Sequence, residues 1–223
     1  MEENNSGLKL YFGFIIAVTL LCLYSYDVLL KTKHPISTEN YSYENLKNPE
    51  QIPYINLNGE KIKILGKNYN FELTPQATYK IYAMVMSKSQ YYFDWNSKLA
   101  KYDLALAWND LMLPENRVGI KYSQSGRWYY YSFDDKFPLT QAYIIEHSSN
   151  VHIVPANQIV LEAISKVRKG DKIYLEGYLV NIDGTVDNKP VWWHSSLSRQ
   201  DTGDGACEVF YVKKSVLNNF VYQ

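Results

Sequence analysis

Cysteine is scarce in this chain, with only Cys22 and Cys207 among 223 residues. Cys22 lies inside an N-terminal apolar run and Cys207 far downstream. No disulfide framework can therefore staple a single domain. Net charge is also absent, because 23 Lys and Arg stand against 23 Asp and Glu. That balance removes the basic field that recruits nucleic acid or anionic lipid, so no nucleic acid is expected as a partner. Histidine is sparse too, and His147, His152 and His194 show neither helical pairing nor CxxC-like spacing. Asp183-Gly-Thr-Val-Asp187 and Asp201–Asp204 lack the alternating ligands of an EF-hand loop. No metal site and no cofactor are expected. Repeats and low-complexity tracts are missing as well. With 46% apolar residues, a packed core is in reach and global disorder is excluded.

What the chain does have is one uninterrupted apolar run, Leu10 to Tyr26, seventeen residues between Lys9 and Asp27. That length is near the lower limit for crossing a bilayer. Tyr11, Tyr24 and Tyr26 flank it as interfacial rings do. The n-region is more acidic than basic and no small-x-small cleavage pattern follows, which argues against a removable signal. Leu21 before Cys22 likewise departs from a lipoprotein signal. The expectation is a short tail over 1–9, a transmembrane anchor over 10–30 that uses the lipid bilayer as partner, a stalk over 31–53, and a β-rich globular domain over 54–223. Flanking charges do not settle orientation. The usual behaviour of a lone N-terminal anchor places the amino terminus inside and the C-terminal domain outside, an orientation that the family resemblance given below would make periplasmic at a bacterial inner membrane.

From Tyr54 onward strand signals dominate. Asn58-Gly59 predicts a hairpin between Tyr54–Leu57 and Glu60–Leu65. Thr78–Met86 alternates with a period of two, and Ser97–Trp108 reads equally as a helix face or a buried strand. Val118–Ser123 with Arg127–Phe133, and Ala142–His147 with Val151–Val154, look like two further hairpins. A single helix is well signed: Asn157 caps it, Val160, Ala163, Ile164 and Val167 share a face, and Gly170 stops it. Lys172–Val180 and Cys207–Lys213 follow as strands. The order three strands, helix, two strands is that of an OB-fold. The predicted fold is thus a transmembrane helix plus a mainly β (α+β) domain, with an OB-like five-stranded barrel over about 78–213. Enlarged loops and an N-terminal hairpin would extend that barrel.

Two enlarged loops, about Ser87–Arg117 and Asn181–Ala206, would then carry function. The second holds Trp192-Trp193-His194, then Ser196, Arg199, Asp201 and Asp204, a polar tract able to close over a small polar ligand. Trp108 in the first loop and Arg127-Trp128 beside Tyr129–Tyr131 complete the candidate binding set. Cys207 is a candidate nucleophile with His194 or His152 as base and an Asp, such as Asp201, as orienter. A lone cysteine that opens a strand and shares a face with Val209 is more usually a small core hydrophobe. Asp201-Thr202-Gly203 copies the aspartic-protease triplet without the apolar strand or second copy that chemistry requires.

Several pieces resemble a family of bacterial single-pass membrane proteins with a C-terminal β-rich domain and no known activity. They are Tyr102-Asp-Leu-Ala-Leu-Ala-Trp108, Gln124-Ser-Gly-Arg-Trp128, Asn150-Val-His-Ile-Val-Pro155, Gly170-Asp171 with Gly177-Tyr-Leu, and Ser195 through Glu208. The resemblance implies a membrane context and no chemistry. The functional expectation is a membrane-anchored binding module that engages a protein partner or small polar ligand. The alternative is a hydrolase using Cys207 or the Asp and His residues of the same loop.

Overall fold

The computed structural model describes residues 15–23, 43–55, 59 and 61–223, and the chain divides into two compact units, Met1–Ile36 and Ser37–Gln223. In the first unit residues 15–23 form a helix, α1, of exposed side chains. Among the described residues no helix is long and apolar enough to cross a membrane. This overturns the expected anchor over 10–30 and the single-pass inner-membrane placement built on it. The rest of the apolar run, 10–14 and 24–26, lies outside the described residues, as do 31–42 of the predicted stalk.

The second unit is mostly β. Its strands are β1 (Glu50–Pro53), β2 (Ile62–Gly66), β3 (Tyr69–Gln90), β4 (Tyr102–Ala107), β5 (Ile120–Ser125), β6 (Trp128–Phe133), β7 (Ser148–Pro155), β8 (Lys172–Val186), β9 (Lys189–His194), β10 (Glu208–Leu217) and β11 (Phe220–Tyr222). Three short helices join them: α2 (Pro114–Arg117), α3 (Gln141–His147) and α4 (Gln158–Lys166). Nine strands form one sheet along the path β1-β3-β4-β7-β10-β8-β9, with β2 and β11 on β3 and β10, and β3 also pairing β8. The expected five-stranded OB-like barrel is not what forms. Its intended second and third strands, 118–123 and 127–133, pair only with each other as the separate hairpin β5–β6. A different segment, Tyr102–Ala107, takes the place beside β3. The N-terminal extension also differs: β2 pairs β3 across Lys67-Asn68, while residues 56–58 and 60 at the predicted turn lie outside the described residues.

Alternation explains how the sheet is covered on both faces. In β4, Leu104 and Leu106 join the large core with Tyr79, Ile81, Ile153 and Phe210, onto which α4 packs Val160, Ala163 and Ile164. Ala105 and Ala107, one residue out of phase, meet Met84 and Met86, the hairpin residues Ile120 and Tyr122, and Ile144 of α3. Asn157 caps α4 by accepting from the Ile159 and Val160 amides, both at 3.0 Å. β3 bends at bulges near Pro75 and near Ser87, and Pro75, having no N–H to give, sits at the first. Ala142–His147 is α3 rather than a strand. Thr140 caps it with a bond from the Tyr143 amide, and its Ile144 points inward.

Candidate active site

Three neighbouring strands bring the chemistry together. Register places Asp103 of β4 opposite His152 of β7, and His152 beside Val209 of β10. Cys207, two residues before Val209, therefore shares that face at the mouth of β10, diagonal to His152 and next to Asn150. Asp103 is fully buried and His152 is 3% exposed. His152 Nδ1 lies 3.0 Å from Asp103 Oδ1, as an ion pair without the direction of a good hydrogen bond. The Cys207 side chain lies close enough to the imidazole to influence its charge. Burial alone would lower the His152 pKa, but Asp103 and Cys207 overcome that and raise it to about 9. The imidazole is thus an imidazolium at neutral pH, beside a half-buried sulfur.

Two further groups complete this cluster. Asn150, fully buried, donates from Nδ2 to the Arg127 carbonyl at 2.8 Å and faces Cys207 Sγ at 3.8 Å. Gln124 donates to Asn150 Oδ1 at 2.7 Å, which leaves only one amide orientation consistent with both bonds. Arg127 sits at the tip of the β5–β6 hairpin. Its guanidinium reaches Asp103 Oδ1 at 2.8 Å, Asp94 through two bonds at 2.6 and 2.9 Å, and the Ala100 carbonyl at 2.9 Å. The ring of Trp193 closes over the other side, 4.4 Å from that of His152.

Cys207 opens into a cavity of about 350 Å³. One wall is aromatic, from Trp128, Tyr129 and Tyr131, and the other is polar, from Ser148, Arg199 and Asp201. Its floor carries a second buried pair, because Glu208, one residue after Cys207, points to the opposite sheet face. There it meets Arg199 and the hydroxyl of Ser149. Asp201 is exposed and accepts from the buried Ser196 hydroxyl at 2.5 Å, which ties the 195–206 loop over the cavity.

The sequence-derived candidates therefore scatter. Cys207, Trp128, Arg199 and Asp201 converge on the cavity. Trp193 and Ser196 support it from behind, and Arg127 is an internal clamp rather than a surface contact. His194 stands apart, exposed and 3.1 Å from Asp183, with Trp192 beside it. Asp204 is exposed on the loop, and Trp108 is sealed in the core. Asp103, Asn150 and Glu208 were not singled out by the sequence. A signal for Asp103 did exist: a single carboxylate inside Tyr-Asp-Leu-Ala-Leu-Ala is costly to bury unless paired. Asn150 was hidden because Ser-Ser-Asn reads as a turn, whereas β7 begins at Ser148, and of the two bases named for Cys207 the structure places His152 rather than His194 beside it.

Among the described residues no group of three or more His, Cys, Asp or Glu is arranged to hold a metal ion. No protein-family model, no curated protein and no solved structure matches the chain.

Proposed function

We propose that the protein is a cysteine-nucleophile hydrolase in which Cys207 attacks an acyl carbon, His152 moves the proton and Asp103 orients His152. Of the two functions the sequence left open, this one is supported by a single observation above the rest. A half-buried thiol lining a cavity neighbours an imidazole whose Nδ1 faces a buried carboxylate. That is the nucleophile, base and orienter sequence that activates thiols.

The steps follow from those positions. An imidazolium beside the sulfur favours the thiolate, the form that is nucleophilic. The thiolate adds to the carbonyl carbon, and the resulting oxyanion collapses with cleavage of the bond to the leaving group. That group departs with the proton of the His152 imidazolium. The neutral imidazole next takes a proton from water, and the hydroxide formed attacks the thioester. The sulfur leaves as thiolate and the imidazolium is restored. Asp103 faces Nδ1 as an ion pair, so Nε2 is the nitrogen assigned to proton transfer. The Asn150 amide, fixed from both ends, supplies a donor next to the sulfur.

The test is labelling of the full chain with iodoacetamide from pH 5 to 10, read at Cys207 by peptide mass. Cys207 is expected to react with iodoacetamide at pH 6 at a rate that depends on His152. Replacing His152 by Ala should cut that low-pH rate by roughly tenfold or more. A p-nitrophenyl ester should leave an acyl group on Cys207 and none on a Cys207→Ser chain. Labelling that follows an ordinary thiol and ignores His152→Ala would overturn the proposal.

A further inference from the structure

Arg127 occupies a position that costs energy. Register pairs Ser125 with Trp128, so Gly126 and Arg127 are the two central residues of the β5–β6 turn, at φ 58° and 72°. Both values lie in the left-handed region that a type I′ turn requires. The equivalent turns of β8–β9 and β10–β11 fill these places with Asp187-Asn188 and Asn218-Asn219, residues that tolerate the conformation. Arginine does not share that tolerance, and strain of this kind persists where the surroundings over-determine the residue.

The surroundings do so at every polar end of Arg127. Its amide donates to the Tyr91 hydroxyl at 3.1 Å, and its guanidinium lies 3.9 Å from the centre of that ring. Its carbonyl accepts from Asn150 Nδ2, and its guanidinium bridges Asp94 and Asp103. The Asp103 oxygen it binds is the one facing His152. One strained residue thus touches the orienting carboxylate with its side chain and the amide beside the sulfur with its backbone.

We infer that Arg127 is the positioning residue of this site: it orients Asp103 and holds the Asn150 amide, so that His152 and Cys207 are poised to react. This rests on the proposed chemistry of Cys207 and extends it to the hairpin tip. The groups facing His152 are Asp103 from β4, Cys207 from β10 and the uncharged Trp193 ring from β9, with Arg127 and Asp94 one step behind Asp103. Removing the Arg127 cation leaves the Asp103 charge to His152 alone, which stabilises the imidazolium. Removing the Asp94 anion has the opposite effect, because the guanidinium then bears wholly on Asp103.

The experiment is an NMR titration of the full chain with labelled histidine, alongside iodoacetamide labelling of Cys207 at pH 6.5. In Arg127→Gln the His152 midpoint should rise by roughly one pH unit, and Cys207 labelling should slow about tenfold as Asp103 and Asn150 lose their clamp. In Asp94→Asn the midpoint should fall, and Arg127→Lys should restore the midpoint more fully than the labelling rate. A purely structural role would lower the melting temperature and leave the midpoint in place. A folded Arg127→Gln chain with unchanged midpoint and unchanged labelling overturns the inference. If that chain does not fold, an unmoved midpoint in Asp94→Asn does the same. An ordinary wild-type thiol with a midpoint that still moves would sink the hydrolase reading and leave the hold of Arg127 on His152 intact.

Discussion

His152 makes stability depend on pH in a definite direction. Its folded-state pKa, near 9, stands above the 6.5 of an unpaired imidazole. The folded chain therefore holds a proton that the unfolded chain releases first. The stabilisation is complete below about pH 6.5 and is lost as pH rises through about 9. Urea denaturation should show a falling midpoint across that window, and His152→Gln should flatten the fall. Glu208 offers a second test at the same scale. It is 1% exposed and depends on Arg199 and Ser149 for compensation. Arg199→Met should destabilise by about 3 kcal/mol, since it strands a buried anion. Adding Glu208→Gln should recover most of that loss in the double variant, as denaturant midpoints would show. Both carboxylates escaped sequence reading for one reason: burial of a charge depends on a partner from a distant strand. Arg127 and Arg199 were legible as notable residues, but not as the partners of Asp103 and Glu208.

Elements were legible where local chemistry decided them. α4 carries its own cap and apolar face, and it forms within a residue or two of the predicted span. Arg127–Phe133 kept its alternation, with Trp128 and Tyr130 exposed and Tyr129 and Tyr131 half-buried, although Arg127 itself belongs to the turn and the strand begins at Trp128. α3 was misread because Ala-Tyr-Ile-Ile suits a strand as well as a single helical turn, and burial of Ile144 against the hairpin settled it. β4 stayed ambiguous for want of any local signal to separate a buried strand from a helix. Close approach of strands gives a prediction here. A Cβ on Gly177, between β3 and β10, would stand 2.0 Å from the Tyr211 carbonyl oxygen. Gly177→Ala should destabilise by more than about 2 kcal/mol, because backbone rather than a flexible side chain must give way. Thermal melting of the variant checks it.

At the scale of the molecule, every residue placed in the site lies between Asp94 and Glu208, inside the second compact unit. A chain beginning at Ser37 should therefore keep the low-pH reactivity of Cys207 unchanged, measured by the same labelling. The expected architecture went astray on pairing. Sequence patterns mark strands, but which strand lies beside which is set by contacts far apart in the chain. The hairpin that was given two places in a barrel instead covers the outer face of the sheet. The apolar N-terminal run misled in a similar way, since its composition speaks to transfer into lipid, whereas no helix among the described residues is long and apolar enough to cross a membrane.

The parallel pairing of β7 with β10 has one more consequence, and it concerns time. β10 is the second-last strand, yet it is central, bound to β7 on one edge and β8 on the other. Cys207 meets His152 only when β10 pairs with β7. A nascent chain could not bring the two side chains together until β10 had left the ribosome and joined the sheet, so under the proposed chemistry the pair is assembled late in the folding of this unit.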